Sequence, residues 1–398
     1  MNKQWAVVLG GFVTILAAAD TASAIPAFQR RYGVECHFCH DGYPKLNQNG
    51  QRFKERGFRM AQEDPFDVGE WAKTVPLSVR ATGNHTFLED NDVDNDGDSD
   101  GFTFAFFKGI TAGNLGSRVA YWVDDGLFWQ DLPDDAPEDS DSFTHTKPDN
   151  AWGRIELVKG GKLYLKGGRF ELDLPFTQAR TPQLFPYDIY TTNTGEEYDA
   201  IGLYQEGAEL GGTLGDDARW SAAVVKGRNA PGASDTNSEA GNFDANVYLR
   251  ASKRFTRNRI GAFAYIGRNK LPVDSANVIE NDLLRLGADA DVRAGKLNVY
   301  GVFMYGRNSD AFGVGVEQSF TGGFVQTDFA LLDSMQLTLR LNVVNAPTSV
   351  APSSKETNTS VFPGVRFYVR ERLRLAFEWG FQSDERPDVG AVQAELAF

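Results

Sequence analysis

From about residue 75 to its last residue the chain alternates apolar and polar side chains, in segment after segment. That period of two belongs to β-strands whose two faces meet different surroundings. Leu337, Leu339, Leu341 and Val343 alternate with Gln336, Thr338, Arg340 and Asn342. Val365, Phe367 and Val369 alternate with Arg366, Tyr368 and Arg370. Leu373, Leu375, Phe377, Trp379 and Phe381 alternate with Arg372, Arg374 and Glu378, and Phe243, Ala245, Val247 and Leu249 with Asp244, Asn246 and Arg250. Charges of both signs share one face. In a soluble sandwich the apolar face would be the core; in a transmembrane barrel it faces lipid and the charged face lines the lumen.

Strand number and link lengths favour the barrel. Sixteen segments read as strands, near 75–88, 101–113, 117–129, 150–159, 162–171, 198–212, 218–228, 242–255, 259–268, 281–293, 296–306, 315–328, 335–345, 360–370, 372–382 and 389–398. Every second link is tight: Asn114–Gly116, Gly160-Gly161, Gly215–Asp217, Thr256–Asn258, Ala294-Gly295, Asp333-Ser334 and Glu371. The links between are mostly longer: 89–100, 130–149, 172–197, 229–241, 269–280, 307–314, 346–359 and 383–388. An even strand count with alternating short and long links is the pattern of outer-membrane barrels, whose short turns are periplasmic. The terminal Phe398, in parity with Val392, Ala394 and Leu396, resembles their assembly signal. The expected fold is therefore an all-β, 16-stranded antiparallel barrel over residues 75–398, in outer-membrane lipid, with both barrel ends in the periplasm.

Residues 1–24 read as a signal peptide: Lys3, an apolar run from Trp5 to Ala19, then Ala22-Ser23-Ala24. No later stretch has the ~18 continuous apolar residues of a membrane helix. The formal charge of −14 disfavours nucleic acid as a partner. No triad, phosphate-binding loop, dinucleotide fingerprint or zinc-protease motif is present in the sequence.

The remaining segment, 25–74, holds the only two cysteines, in Cys36-His37-Phe38-Cys39-His40. C-x-x-C-H is the attachment motif of c-type haem. Two thiols form thioethers to the porphyrin, and the adjoining imidazole lies against the iron as proximal ligand. A disulfide would close a very small strained loop. Zinc would need further ligands, and the four histidines (37, 40, 85 and 145) do not pair at finger spacing. A dithiol redox motif would be expected beside a βαβ pattern, which is absent. A 50-residue segment cannot bury a haem alone, so the economical seat is the periplasmic mouth or lumen of the barrel, as a plug. Pro44 suits the first turn of a helix, and Leu46 to Phe53 form a short one interrupted by Gly50.

Several of these residues carry a more specific likeness. Ile25-Pro26-Ala27-Phe28, Tyr32-Gly33-Val34, the C-x-x-C-H, Pro44-x-Leu46-Asn47, Gly50, Phe53 and Gly57-Phe58 resemble the N-terminus of the fused monohaem cytochrome–porin family, outer-membrane cytochromes of iron-oxidising bacteria. The motif likeness covers about residues 25–60; beyond it the likeness is architectural. Gly167-Gly168-Arg169-Phe170-x-x-x-Leu174-Pro175-Phe176 is similar to general porin sequences. The resemblance implies one covalent haem c held by Cys36, Cys39 and His40. It also implies Fe(II) as extracellular electron donor and a periplasmic c-type cytochrome as acceptor, hence an Fe(II):cytochrome c oxidoreductase. Outward electron transfer, or a diffusion porin with a haem-bearing plug, are the alternatives.

The sequence leaves the sixth iron ligand undecided, an open or water-ligated position being one alternative. Met60 is the nearest methionine, and a thioether raises a haem's potential; it is otherwise packing in the linker. His85 shares the parity of Val75, Leu77, Val79 and Phe87, the lipid face. His37 sits in the attachment loop on the proximal side, and His145 in an outer loop. A second candidate site is Asp92, Asp94, Asp96, Asp98 and Asp100, which begin like a calcium loop but meet Thr103 where an EF-hand has its Glu. With Asp131, Asp134, Asp135, Glu138, Asp139 and Asp141 they could hold Ca²⁺ or Fe²⁺ or concentrate cations, or simply form a solvated loop surface. Arg80, Arg154, Glu156, Arg250, Arg340, Arg366, Arg374 and Glu378 are expected in the lumen, to hold haem propionates or the plug, or as ordinary porin lining.

Overall fold

The computed structural model describes residues 26–42, 44–60, 77–89, 101–103, 107–128, 150–177, 183–185, 187–191, 201–202, 204–226, 245–272, 278–310, 315–347, 354–369, 373–383 and 388–397. Sixteen antiparallel strands form one closed sheet. They are β1 (Leu77–Glu89), β2 (Gly101–Thr103 and Phe107–Leu115, both paired to β1), β3 (Val119–Phe128), β4 (Asn150–Val158), β5 (Leu163–Glu171), β6 (Tyr204–Leu214), β7 (Ala218–Lys226) and β8 (Ala245–Phe255). There follow β9 (Asn258–Pro272), β10 (Val278–Ala294), β11 (Leu297–Asn308), β12 (Gln318–Leu332), β13 (Met335–Pro347), β14 (Lys355–Val369), β15 (Leu373–Gln382) and β16 (Asp388–Ala397). The ring closes where β1 pairs with β16, from Arg80 opposite Ala397 to Glu89 opposite Asp388.

Burial settles which face is which. Leu339 is 49% exposed while its neighbour Arg340 is 2% exposed. Leu337, Leu341, Val343, Phe367, Val369, Phe377 and Phe381 are likewise exposed, and Arg366, Arg374 and Glu378 buried. Apolar side chains point outward and charges inward, the reverse of a soluble sandwich. An apolar belt around the whole ring is stable only against lipid.

Tight turns and longer links segregate to opposite ends. The turns are Gly116–Arg118, Lys159–Lys162, Gly215–Asp217, Thr256–Arg257, Gly295–Lys296 and Asp333–Ser334. Two links are shorter than the sequence pattern suggests. Only 273–277 separate β9 from β10, and 348–354 separate β13 from β14. The reason is strand length: β9 and β14 have 15 residues, β10 has 17 and β13 has 13, beyond the ~9–11 that span a bilayer.

The link 172–203 departs from the outer-loop expectation. Its described residues turn into the lumen. Leu172, Leu174, Phe176, Tyr187, Ile189, Tyr190 and Ile201 are buried against the inward-facing Tyr248, Phe263, Tyr265, Tyr300, Met304, Phe320 and Phe324. Tyr187 stacks on Phe324 at 3.8 Å between centroids, and Phe176 meets Tyr300 at 4.7 Å. Polar contacts tie the same link to the wall: Gln183 donates to Tyr300 and Gln326, the Leu184 amide to Glu378, Arg340 to the Phe185 carbonyl, and Ser360 to Asp188. This part of the lumen is a packed core.

Candidate functional site

Residues 26–60 lie at the short-turn end of the barrel. They comprise α1 (Pro26–Tyr32), a 3₁₀ turn at Cys36–Phe38 and α2 (Gln48–Glu55). Asn47 caps α2 by accepting from the Gly50 amide at 3.1 Å, satisfying one donor the helix leaves orphaned. Its amide nitrogen also donates to the His37 and Phe38 carbonyls, each at 3.1 Å, which fixes the helix start to the C-x-x-C-H turn. Gly50 does not interrupt the helix as the sequence suggests. A Cβ there would stand 2.3 Å from the Cys39 carbonyl oxygen, so glycine lets the helix pass against the cysteine turn. The helix ends in a Schellman arrangement: Phe58 N donates to Phe53 O and Gly57 N to Lys54 O, with Gly57 at φ 64°.

The segment is held on two sides. On one, Phe28, Phe53 and Phe58 cluster with Trp122 and Trp152 of β3 and β4, and Met60 packs on them. On the other, charges lock it to the wall. Arg254 makes a two-pronged pair with Glu55, both contacts 2.8 Å, with Arg219 at 3.7 Å. Arg293 pairs with Asp41, and Arg59 with Glu156 at 3.1 Å. Arg154 donates to the Lys54 and Glu55 carbonyls. Gly161, in the β4–β5 turn at φ 75°, leaves room for the Glu55 carbonyl, which a Cβ would approach to 2.3 Å.

A cavity of about 250 Å³ opens between this segment and the wall, near the lower end of small-molecule sites (~300–1,000 Å³). Cys36, Cys39, His40 and Met60 all line it. The cysteines are not joined in a disulfide. Burial pushes the Cys39 thiol up from its ordinary range. The Nδ1 of His40 lies 3.2 Å from the Pro44 carbonyl oxygen. A carbonyl only accepts, so Nδ1 carries the proton and Nε2 is the basic nitrogen. Desolvation pushes the His40 pKa down to about 4 against that bond and Asp41, so the ring is neutral at neutral pH. Two thiols, a neutral imidazole with its second nitrogen anchored, and an aromatic wall suit a c-type haem.

The other sequence candidates sort clearly. Met60 shares the cavity with His40. His37 is exposed and pairs with Glu35 at 3.3 Å. His85 has the outward parity of the exposed Leu77, opposite the buried Ser78, and does not line the cavity. His145, the 92–100 aspartates and the 131–141 carboxylates lie outside the described residues. Among the described residues no group of three or more His, Cys, Asp or Glu side chains is placed to hold a metal ion. The expected lumen charges do face inward. Arg154 and Glu156 hold the N-terminal segment, Arg340 holds the in-folded link, Arg366 pairs with Glu378 at 2.9 Å and Arg374 with Glu395 at 3.0 Å. Sequence reasoning missed Glu55, Arg219, Arg254 and Arg293, whose partners are far away in the chain.

This is a porin-type barrel of outer-membrane architecture. No family model matches the chain, and no curated protein does. Solved structures give the likeness instead. OmpF of Salmonella typhi, in complex with daunomycin, covers 81% of this chain and 97% of its own at 10% identity, with a TM-score of 0.56. The anion-selective porin of Comamonas acidovorans covers 81% and 98% at 11% identity, TM-score 0.54. OmpT of Vibrio cholerae covers 81% and 96% at 11% identity, TM-score 0.55. At these identities the likeness is one of fold.

Proposed function

We propose that this protein is an outer-membrane porin–cytochrome whose N-terminal segment, 25–74, is a haem-bearing plug and which moves single electrons across the membrane, oxidising extracellular Fe(II) and passing the electrons to a periplasmic c-type cytochrome. The observation that carries the reading is the seating of Cys36, Cys39 and His40 on a cavity inside a porin lumen. A haem attached there would supply one-electron redox chemistry at the short-turn end. The chain's own part is positional. Pro44 orients the imidazole, Asn47 pins the cysteine turn, and the Glu55–Arg254 pair fixes the helix.

Fe(II) as donor and the inward direction come from the family resemblance; the same parts would serve an outward current. The plain diffusion porin draws support from the solved porins of like fold, and the packed lumen core counts against it. The test is to add Fe(II) to purified, oxidised protein and follow the haem bands. Reduction by Fe(II) supports the reading. Reduction by dithionite but not by Fe(II) overturns iron oxidation.

A further inference from the structure

We infer that Arg259 is the carboxylate-binding residue of the lumen cavity, and that it takes a propionate of the haem attached at Cys36 and Cys39. The inference rests on the haem reading above.

The cavity has two unlike walls. Phe58, Met60, Trp122 and Trp152 make an apolar one. Facing into the same space, β7, β8 and β9 supply Arg219, Arg250, Arg254 and Arg259. A haem has the same asymmetry: an apolar macrocycle, thioether links along one edge and two carboxylates on another. Tied to Cys36 and Cys39, it matches the cavity with its ring against the aromatics and its carboxylates toward the arginines.

Ion pairing singles out Arg259. Among the described ion pairs, these four guanidiniums share three carboxylates. Glu55 is engaged by Arg254, and Asp173 by Arg219 at 3.2 Å. Asp289 is taken at both oxygens by Arg250, at 2.9 and 3.1 Å. Arg259 reaches Asp289 only at 3.8 Å and donates Nη2 to the Pro175 carbonyl at 3.3 Å. Among the described residues its Nε is buried with no partner, as are those of Arg219 and Arg254, so what sets Arg259 apart is that its one carboxylate among the described ion pairs stands at 3.8 Å. A guanidinium so placed is short of an anion, and a carboxylate is the acceptor its planar fork fits. It is also near the attachment turn: Arg259 and Lys45 both lie over the ring of Phe176, and Lys45 follows Pro44, the partner of His40.

The test is spectroelectrochemistry of the purified holoprotein from about pH 5 to 8, since a propionate held by a guanidinium stays ionised across that range. The charged groups facing Arg259 are Arg254 and Asp291 across the two ladders, Arg250 and Asp289 beside them, Asp173 from the in-folded link, and Lys45. The wild type is expected to show a flat midpoint potential. R259Q is expected to show a pH-dependent one at unchanged haem-to-chain ratio, and R259K to restore flatness. A flat R259Q profile with haem retained overturns the inference and leaves the haem reading standing. Where R259Q does not assemble, the wild type still decides, because a sloping wild-type profile overturns it. A wild-type potential that follows added acetate at fixed ionic strength assigns the guanidinium to a soluble carboxylate and overturns it too. Protein without haem bands overturns both readings.

Discussion

Glu55 is the point at which the N-terminal segment is most exposed to a single substitution. It is 7% exposed, at the last turn of α2, and both its oxygens are held by Arg254 at 2.8 Å. Charge-assisted hydrogen bonds contribute about 1.5–3 kcal/mol each, and breaking a buried pair from one side costs about 3–5 kcal/mol. Glu55→Gln keeps the shape and one acceptor but leaves Arg254 without its charge partner. The loss is therefore about 2–4 kcal/mol, which at ~1.4 kcal/mol per decade makes undocking of the segment roughly 30- to 1,000-fold more frequent. Amide hydrogen exchange on peptides covering residues 48–60 of the assembled protein reads this directly, with the strand peptides as internal reference. Exchange in 48–60 is expected to accelerate by that factor while the strands stay unchanged. Equal protection in wild type and variant would refute the claim that this ion pair latches the segment.

Asn47→Ala removes the cap of α2 and the two bonds to the cysteine turn; with ~1 kcal/mol for the cap alone, the haem-to-chain ratio is expected to fall at unchanged barrel yield, read from haem absorbance against protein. Met60→Ala is expected to lower the haem midpoint potential and alter its spectrum; a variant identical to wild type removes Met60 from the ligand set. The packed lumen predicts that the wild-type protein shows no porin-sized conductance steps in planar bilayers. Tyr187→Ala with Phe324→Ala, each costing about 3–5 kcal/mol of core packing, is expected to raise conductance, and steady porin-sized steps in the wild type would contradict the packed core.

The barrel was legible because lipid and lumen impose opposite demands on alternate residues, and the demand repeats along every strand. The Leu337–Val343 stripe carries that signal without help from tertiary structure. The C-x-x-C-H stands out in the sequence because the motif is local, and the fold brings its Cys36, Cys39 and His40 to one cavity. The in-folded link was not. Leu172, Leu174 and Phe176 continue the alternation of β5 past its end, and Tyr187, Ile189 and Tyr190 are unusually apolar for an outer loop. Their partners, however, sit on the face that lumen logic expects to be polar. Tyr300, Met304, Phe320 and Phe324 break that rule, and only the closed ring shows them converging. The latch was illegible for a related reason: Glu55 and Arg254 are 199 residues apart, and one charge among many on a lumen face names no partner. Gly50 misled because glycine usually weakens a helix, whereas here it makes room for the Cys39 carbonyl.

The central claim is that a haem seated in the lumen passes electrons from one side of the membrane to the other. Its most direct measurement uses liposomes carrying the assembled protein, with oxidised cytochrome c trapped inside and Fe(II) added outside. The account predicts reduction of the trapped cytochrome, abolished in the Cys36→Ala/Cys39→Ala variant. Trapped cytochrome that stays oxidised, in vesicles whose barrel haem is intact and reducible by dithionite, would contradict it.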